Sequence, residues 1–311
     1  MRAVQVTQTD GPVEVRDIPE PTPGPDDVLI EVHRVGVSFP DLLLSKGLYQ
    51  MKPEPPFTLG VDFAGTVLSG PGLEVGQRVC AVLPYGGAAE RVVAPRQFVF
   101  PLPDSLSFDE GAALPMNYLT ALFALRQRGQ VQPGETVLIH GAAGGVGTAA
   151  IQVARGLGAH TVAVVSSAPK ESLALAAGAD RVVRVEDLAD AGRVDVVLDV
   201  VGGDVFLPSL RLLNPLGRLL VVGFAAGQGI PEVKVNRLLL NNIDVRGVGW
   251  GAFAMAREGY MQEQWRELEP MLADGTVKPP IGATYDLADF GSALAEMQER
   301  RTLGKSVVVV C

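Results

Sequence analysis

The stretch Gly134-Glu135-Thr136-Val137-Leu138-Ile139-His140-Gly141-Ala142-Ala143-Gly144-Gly145-Val146-Gly147 constrains the fold more than any other part of the chain. A short apolar run, Thr136–His140, leads into a glycine cluster, and a helical segment, Val146–Leu157, follows. Strand, glycine turn and helix in that order form the unit that grips a dinucleotide pyrophosphate. One glycine allows the tight turn, a second admits the phosphates to the backbone amides, and a third lets helix pack closely on strand. Here Gly141, Gly144 and Gly147 are spaced GxxGxxG rather than the commoner GxGxxG. The candidate diphosphate contacts are therefore Gly141, Gly144, Gly145, Val146 and Gly147. A glycine cluster also serves plain turns; the strand before it and the helix after it favour the binding reading.

The pattern after this unit alternates. A strand (Thr161–Val165), a helix (Pro169–Ala177) and a strand (Arg181–Val185) are followed by the strand Val194–Val200. A helix near Pro208–Leu213 and the strand Arg218–Val222 complete the series. Such alternation predicts an α/β fold, a doubly wound parallel sheet of Rossmann type. Before residue 120 the texture differs: Val28–Val32, Phe63–Leu68 and Gln77–Leu83 are short strand-like runs separated by Pro and Gly clusters. Pro19, Pro21, Pro23 and Pro25 preclude a helix there. A β-rich domain is expected. The chain closes on a helix from about Gln262, a second helix (Leu287–Arg300) and an apolar strand, Ser306–Val310, expected to pair with the N-terminal part.

Composition removes several classes. The 35 acidic side chains outnumber 26 basic ones, for a net charge of −9. A nucleic-acid partner is not expected, because phosphate backbones are bound by basic clusters. Two cysteines, Cys80 and Cys311, make neither a disulfide framework nor a four-thiolate zinc site. The opening residues lack a signal-peptide core, and no apolar run approaches the roughly 20 residues of a membrane helix. A soluble, cytoplasmic protein without a membrane partner is the expectation.

The choice of dinucleotide is read at the end of the second strand, where an acid would bind a ribose 2′-hydroxyl and repel a 2′-phosphate. The sequence there is Val164-Val165-Ser166-Ser167-Ala168-Pro169-Lys170, with no acid before Glu171. Ser166, Ser167 and Lys170 suit a phosphate. Helix capping by the serines, with Lys170 solvated, explains the same residues but not the missing acid. NADPH is the expected cofactor.

The glycine unit with Gln152 and Arg155 resembles the zeta-crystallin-like quinone oxidoreductases of the medium-chain dehydrogenase/reductase superfamily. Matching pieces extend over essentially the whole chain: Gly36-Val37-Ser38-Phe39-Pro40-Asp41, Leu59-Gly60-Val61-Asp62-Phe63-Ala64-Gly65, Asn117-Tyr118-Leu119-Thr120-Ala121, Asp199-Val200-Val201-Gly202 and Gly304-Lys305-Ser306-Val307. The resemblance implies a GroES-like β-rich catalytic domain (1–119 and 257–311), a Rossmann NADPH-binding domain (120–256) and a cleft between them. Zinc-dependent members carry Cys and His where this chain has Ser38 and Val61, so no metal is expected.

The resemblance further implies Ser38, Asp41 and Tyr49 as catalytic-site residues. Each has a plainer alternative: Ser38 fills a vacated ligand position, Asp41 caps the helix over Leu42–Ser45, and Tyr49 packs rather than donating a proton. Asn117 and Thr120 are expected on the nicotinamide side, Thr120 alternatively bonding its own helix backbone. Val200, Gly223, Phe224 and Ala225 follow strand ends that should border the nucleotide. Lys305 either reaches the cofactor or is solvated. Where many relatives have an aromatic residue beside the 2′-phosphate, this chain has Val185 next to Arg184, a candidate substitute. The implied reaction is hydride transfer from NADPH to a quinone. Reduction of the double bond of an α,β-unsaturated aldehyde or ketone, and NADPH binding without turnover, are the alternatives. Relatives pair the edge strand corresponding to Asp244–Val248 across a two-fold axis, so a homodimer is implied as well.

Overall fold

The computed structural model describes residues 1–311. The chain divides into two compact units. One comprises Met1–Met116, Met261–Trp265 and Pro279–Cys311; the other comprises Asn117–Tyr260 and Arg266–Lys278. These divisions fall three residues before the expected 119/120 boundary, and they assign 266–278 to the Rossmann unit. Gln152 explains the second difference. Its amide donates to the Lys278 carbonyl at 2.8 Å and accepts from the Lys278 N–H at 2.9 Å, while Tyr118 donates to it at 2.7 Å.

The first unit is the GroES-like one. Its seven-stranded sheet runs Ile281–Asp286, Lys305–Val309, Asp27–Gly36, Asp62–Ser69, Arg78–Val82 and Val99–Pro101, with Arg91–Pro95 also pairing on Asp27–Gly36. The terminal strand pairs antiparallel with Asp27–Gly36, Val308 opposite Val35. Alternation puts Val28, Ile30 and Val32 into the core, with Phe63, Ala64, Cys80 and Phe100 from neighbouring strands. Phe100 stacks on Trp265 at 4.8 Å, which ties 261–265 to this unit. Tight register demands small residues: a Cβ on Gly36 would fall on the Ala112 carbonyl and lie 2.6 Å from Lys305 Cε.

The second unit is a six-stranded parallel sheet in the order Arg181–Arg184, His160–Val165, Thr136–His140, Val194–Asp199, Leu213–Val221 and Asp244–Gly247. Strand order reverses between Thr136–His140 and Val194–Asp199, and the crevice beyond their carboxyl ends is where such sheets bind ligands. The fifth strand begins earlier than the expected Arg218. Leu213 already pairs with Val194; the chain then turns through Asn214-Pro215-Leu216-Gly217 and rejoins at Arg218. Leu216 takes a positive φ of 66° in that turn, so an apparent break in the sequence is a bulge within one strand. Core residues Leu138, Val164, Val197, Leu210 and Leu219 fill one face. No helix is long and apolar enough to cross a membrane.

Candidate functional site

The glycine turn is held by its backbone. Gly141 has φ of +62°, a conformation costly for residues with a Cβ, and a Cβ there would lie 2.8 Å from Val200 Cγ2. Gly144 is the N-cap of the helix Gly145–Gly156 and offers no side chain to satisfy its first turn. The first helical bond runs from the Thr148 N–H to the Gly144 carbonyl at 2.9 Å, leaving the amides of Gly145, Val146 and Gly147 without acceptors in the helix. A capping Ser or Asp would consume one of these donors; glycine leaves them for an anion. Gly147 is excluded from any larger residue, because its Cβ would fall on the Gly141 carbonyl and lie 2.7 Å from Ala142 Cα. Asn117 lies over the same turn, its Nδ2 2.6 Å from where a Gly145 Cβ would be. Thr120 is buried one turn further along the helix Pro115–Leu122.

The loops after the fourth and fifth strands are stitched together. The Ala225 N–H donates to Val200 at 3.1 Å, Ala226 to Val201 at 2.9 Å, and Gly223 to Asp199 at 3.3 Å. Asp199 organises this crossing: its Oδ1 accepts the amides of Val201 and Gly202, both at 2.8 Å. Its Oδ2 is buried without a partner, and burial raises its pKa. Phe224 is exposed beside Gly202. The sequence singled out Val200, Gly223, Phe224 and Ala225 and named Asp199 only as part of a matching stretch, without a role. An acid closing an apolar strand immediately before Val-Val-Gly was the available signal.

At the end of the second strand Lys170 donates to Ser166 at 3.2 Å. Ser167 is the N-cap of the helix Ala168–Ala176, yet its hydroxyl makes no capping bond. Parallel register sets Arg184 beside Val165. Arg184 also meets Glu171, Nε to Oε2 at 3.3 Å, a pairing the linear sequence did not disclose.

The GroES-like unit holds a different cluster. Lys305, 4% exposed, donates from Nζ to Ser38 Oγ and to Asp62 Oδ2, each at 2.6 Å. Ser38 Oγ donates to the same Asp62 oxygen at 3.0 Å, and Asp62 Oδ1 takes the Met116 N–H at 2.8 Å. Lys305 is therefore not solvated; it compensates a fully buried carboxylate. Asp41 is also fully buried, and its two oxygens accept the amides of Ser38 and Gly60 at 2.9 Å each; the Ser38 bond caps the helix, and the Gly60 bond ties it to a distant loop. Burial outweighs those two bonds and the nearby Lys305 charge, and its pKa is pushed up to about 7. Tyr49 is half-buried beyond the helix Phe39–Ser45, and burial, aided by the Asp41 charge, raises its phenol pKa. Asp62 was missed as a site residue. An aspartate inside an otherwise apolar strand was the signal that a buried cation must exist elsewhere.

A glycine turn of this geometry, at the reversal of a parallel sheet, defines a dinucleotide-binding unit of Rossmann type. Residues 24–104 match the alcohol dehydrogenase GroES-like domain family, and 145–274 match the zinc-binding dehydrogenase family. Quinone oxidoreductase-like protein 2 of Mus musculus is 36% identical over 319 residues, covering 98% of this chain and 91% of its own. A probable oxidoreductase from Mycobacterium abscessus is 39% identical with a TM-score of 0.89, covering 100% of this chain and 99% of its own. The quinone oxidoreductase from Thermus thermophilus, whose crystal structures include a complex with NADPH, is 35% identical with a TM-score of 0.86 over 100% of both chains. The chain belongs to the zinc-independent quinone oxidoreductases of the medium-chain dehydrogenase/reductase superfamily. Although one matched family is named for zinc, no three His, Cys, Asp or Glu side chains are gathered as a metal site.

Proposed function

We propose that this protein is an NADPH-dependent reductase that delivers hydride to a quinone. The observation that carries the proposal is the pairing of a cap-free amide cradle at Gly145–Gly147 with hydroxyls and cations, Ser166, Ser167, Lys170 and Arg184, at the end of the second strand. The cradle fits a diphosphate, since three unspent amides and a helix N-terminus favour an anion. The second group fits a ribose 2′-phosphate. The NADPH complex of the Thermus thermophilus enzyme supports the same cofactor.

Bound NADPH supplies a hydride from its nicotinamide ring. Asn117, Thr120 and the stitched loops at Val200 and Gly223–Ala225 orient that ring in our reading, and Asp199 fixes the crossing of the loops. Ser38, Asp41 and Lys305 hold the loop before the helix Phe39–Ser45 rather than reacting. A quinone asks little more of the protein. Hydride addition yields a delocalised aromatic oxyanion, so positioning dominates and one proton completes the product. Tyr49, with its raised pKa, keeps its phenolic proton at neutral pH and is our candidate holder of that proton. The same feature favours a second reading, reduction of an enone double bond, which requires a donor at the adjacent carbon.

Loss of NADPH near-ultraviolet absorbance, followed with a panel of quinones and enones, decides between them. Faster turnover of quinones is expected. Turnover of enones alone would favour the second reading, and no oxidation with any acceptor would leave a binding protein without catalysis.

We also propose a homodimer. The strand Asp244–Gly247 is a sheet edge, and Leu216, Ile230, Val235, Leu239 and Leu240 are exposed at the turn and the segment that precede it. Sedimentation at micromolar concentration should give twice the chain mass; a monomer would exclude this.

A further inference from the structure

The end of the second Rossmann strand carries a group that opposes the proposed ligand. Four side chains there suit a phosphate: Ser166 and Ser167 as donors, Lys170 and Arg184 as cations. Glu171 stands among them, its Oε2 3.3 Å from Arg184 Nε, in the first turn of the helix Ala168–Ala176. Lys170 takes a separate partner, Ser166 at 3.2 Å. Arg184 is thus joined to a carboxylate before any ligand arrives.

We infer that Glu171 is a specificity-determining residue that works against the 2′-phosphate and sets a modest preference for NADPH over NADH. This rests on the cofactor reading above. Two physical effects act together. A carboxylate beside the phosphate site repels an incoming monoester of about two negative charges near neutral pH. It also occupies the guanidinium, whose planar fork would otherwise bind phosphate oxygens in pairs. The Arg184 and Glu171 side chains are 29% and 44% exposed, so their ion pair is weak and opens to a competing anion. Arg184 is thereby available, at a cost that a chain lacking Glu171 would not bear.

Calorimetric titration of the full chain with adenosine 2′,5′-bisphosphate and with adenosine 5′-monophosphate tests this without turnover, since the probes differ only in the 2′-phosphate. Glu171→Gln should tighten the bisphosphate by roughly three- to tenfold and leave the monophosphate unchanged, with the gain shrinking at high salt. Adding Arg184→Ala to Glu171→Gln should remove the gain. Thermal melting of each variant verifies the fold. If the wild type prefers the bisphosphate and Glu171→Gln leaves that binding unchanged or weakens it, Glu171 braces Arg184 and the inference is overturned alone. If the wild type ignores the 2′-phosphate but Glu171→Gln gains a preference, the opposition of Glu171 to the phosphate stands, while the modest NADPH preference and the NADPH reading both fall. Absence of heat with both probes in both proteins overturns the two together.

Discussion

The buried cluster of the GroES-like unit and the glycine turn of the Rossmann unit are ordered by opposite means. In the first, Ser38, Asp62 and Lys305 come from separate strands and loops, and a carboxylate is compensated by an ammonium. In the second, a continuous run from Gly141 to Gly147 makes its site from backbone alone, and it works because side chains are missing. The first should fail when an atom is removed, the second when an atom is added.

The largest expected effect is on the cluster. Lys305→Met leaves Asp62 buried without its cation, and loss of one partner of such a pair typically costs about 3–5 kcal/mol. Urea denaturation should show that loss, and Lys305→Met with Asp62→Asn should recover part of it. An unchanged midpoint for Lys305→Met would mean that the cluster contributes no net stability. Gly147→Ala tests the other side. One methyl falls on the Gly141 carbonyl, so overpacking of about 1–3 kcal/mol is expected together with a large loss of nucleotide affinity. Wild-type binding by that variant would show the turn to be looser than its geometry implies.

Two buried titrating groups sharpen the comparison further. Burial lowers His140, whose ring meets Ser209 at 2.7 Å, to about 4 from 6.5. Unfolded His140 takes a proton first, so its contribution to stability is complete above pH 6.5 and drains as the pH falls towards 4. Asp41 behaves oppositely. Folded, it holds its proton up to about 7, whereas unfolded it releases it near 3.8, so its contribution is complete below 3.8 and drains as the pH rises to about 7. From about pH 4 to 6.5 the two slopes offset each other. His140→Gln should unmask the Asp41 slope, stability then falling by about 1 kcal/mol per pH unit across that range. A variant whose stability still does not change with pH there would contradict the assignment for Asp41.

The same contrast governs what could be read from the sequence. The strand Thr136–His140 and the helix after it depend on neighbours in the chain, and both were legible to within one residue. The bulge at Leu216 was not, because Asn-Pro-Leu-Gly reads as a break when no partner strand is in view. Gly141, Gly144 and Gly147 were legible as a tight strand-to-helix turn from their spacing together with the strand before them and the helix after. The task of Lys305 was not. It lies 243 positions from Asp62, and only the pairing of the terminal strand with Asp27–Gly36 brings the two together. Glu171 and Arg184 likewise needed the sheet register before their ion pair could be seen.

The smallest expected effect concerns cofactor choice. Lys170→Ala removes a partly exposed cation beside Ser166, and it should weaken NADPH about fivefold, or about 1 kcal/mol, while sparing NADH. Equal losses for both cofactors would place the extra phosphate elsewhere.

Calorimetry of the wild-type chain with NADPH and with NADH bears most directly on whether the amides of Gly145–Gly147 hold a dinucleotide. Saturable binding at one site per chain is expected, tighter for NADPH and abolished in Gly147→Ala. No heat from either nucleotide, with the protein folded, would contradict the account.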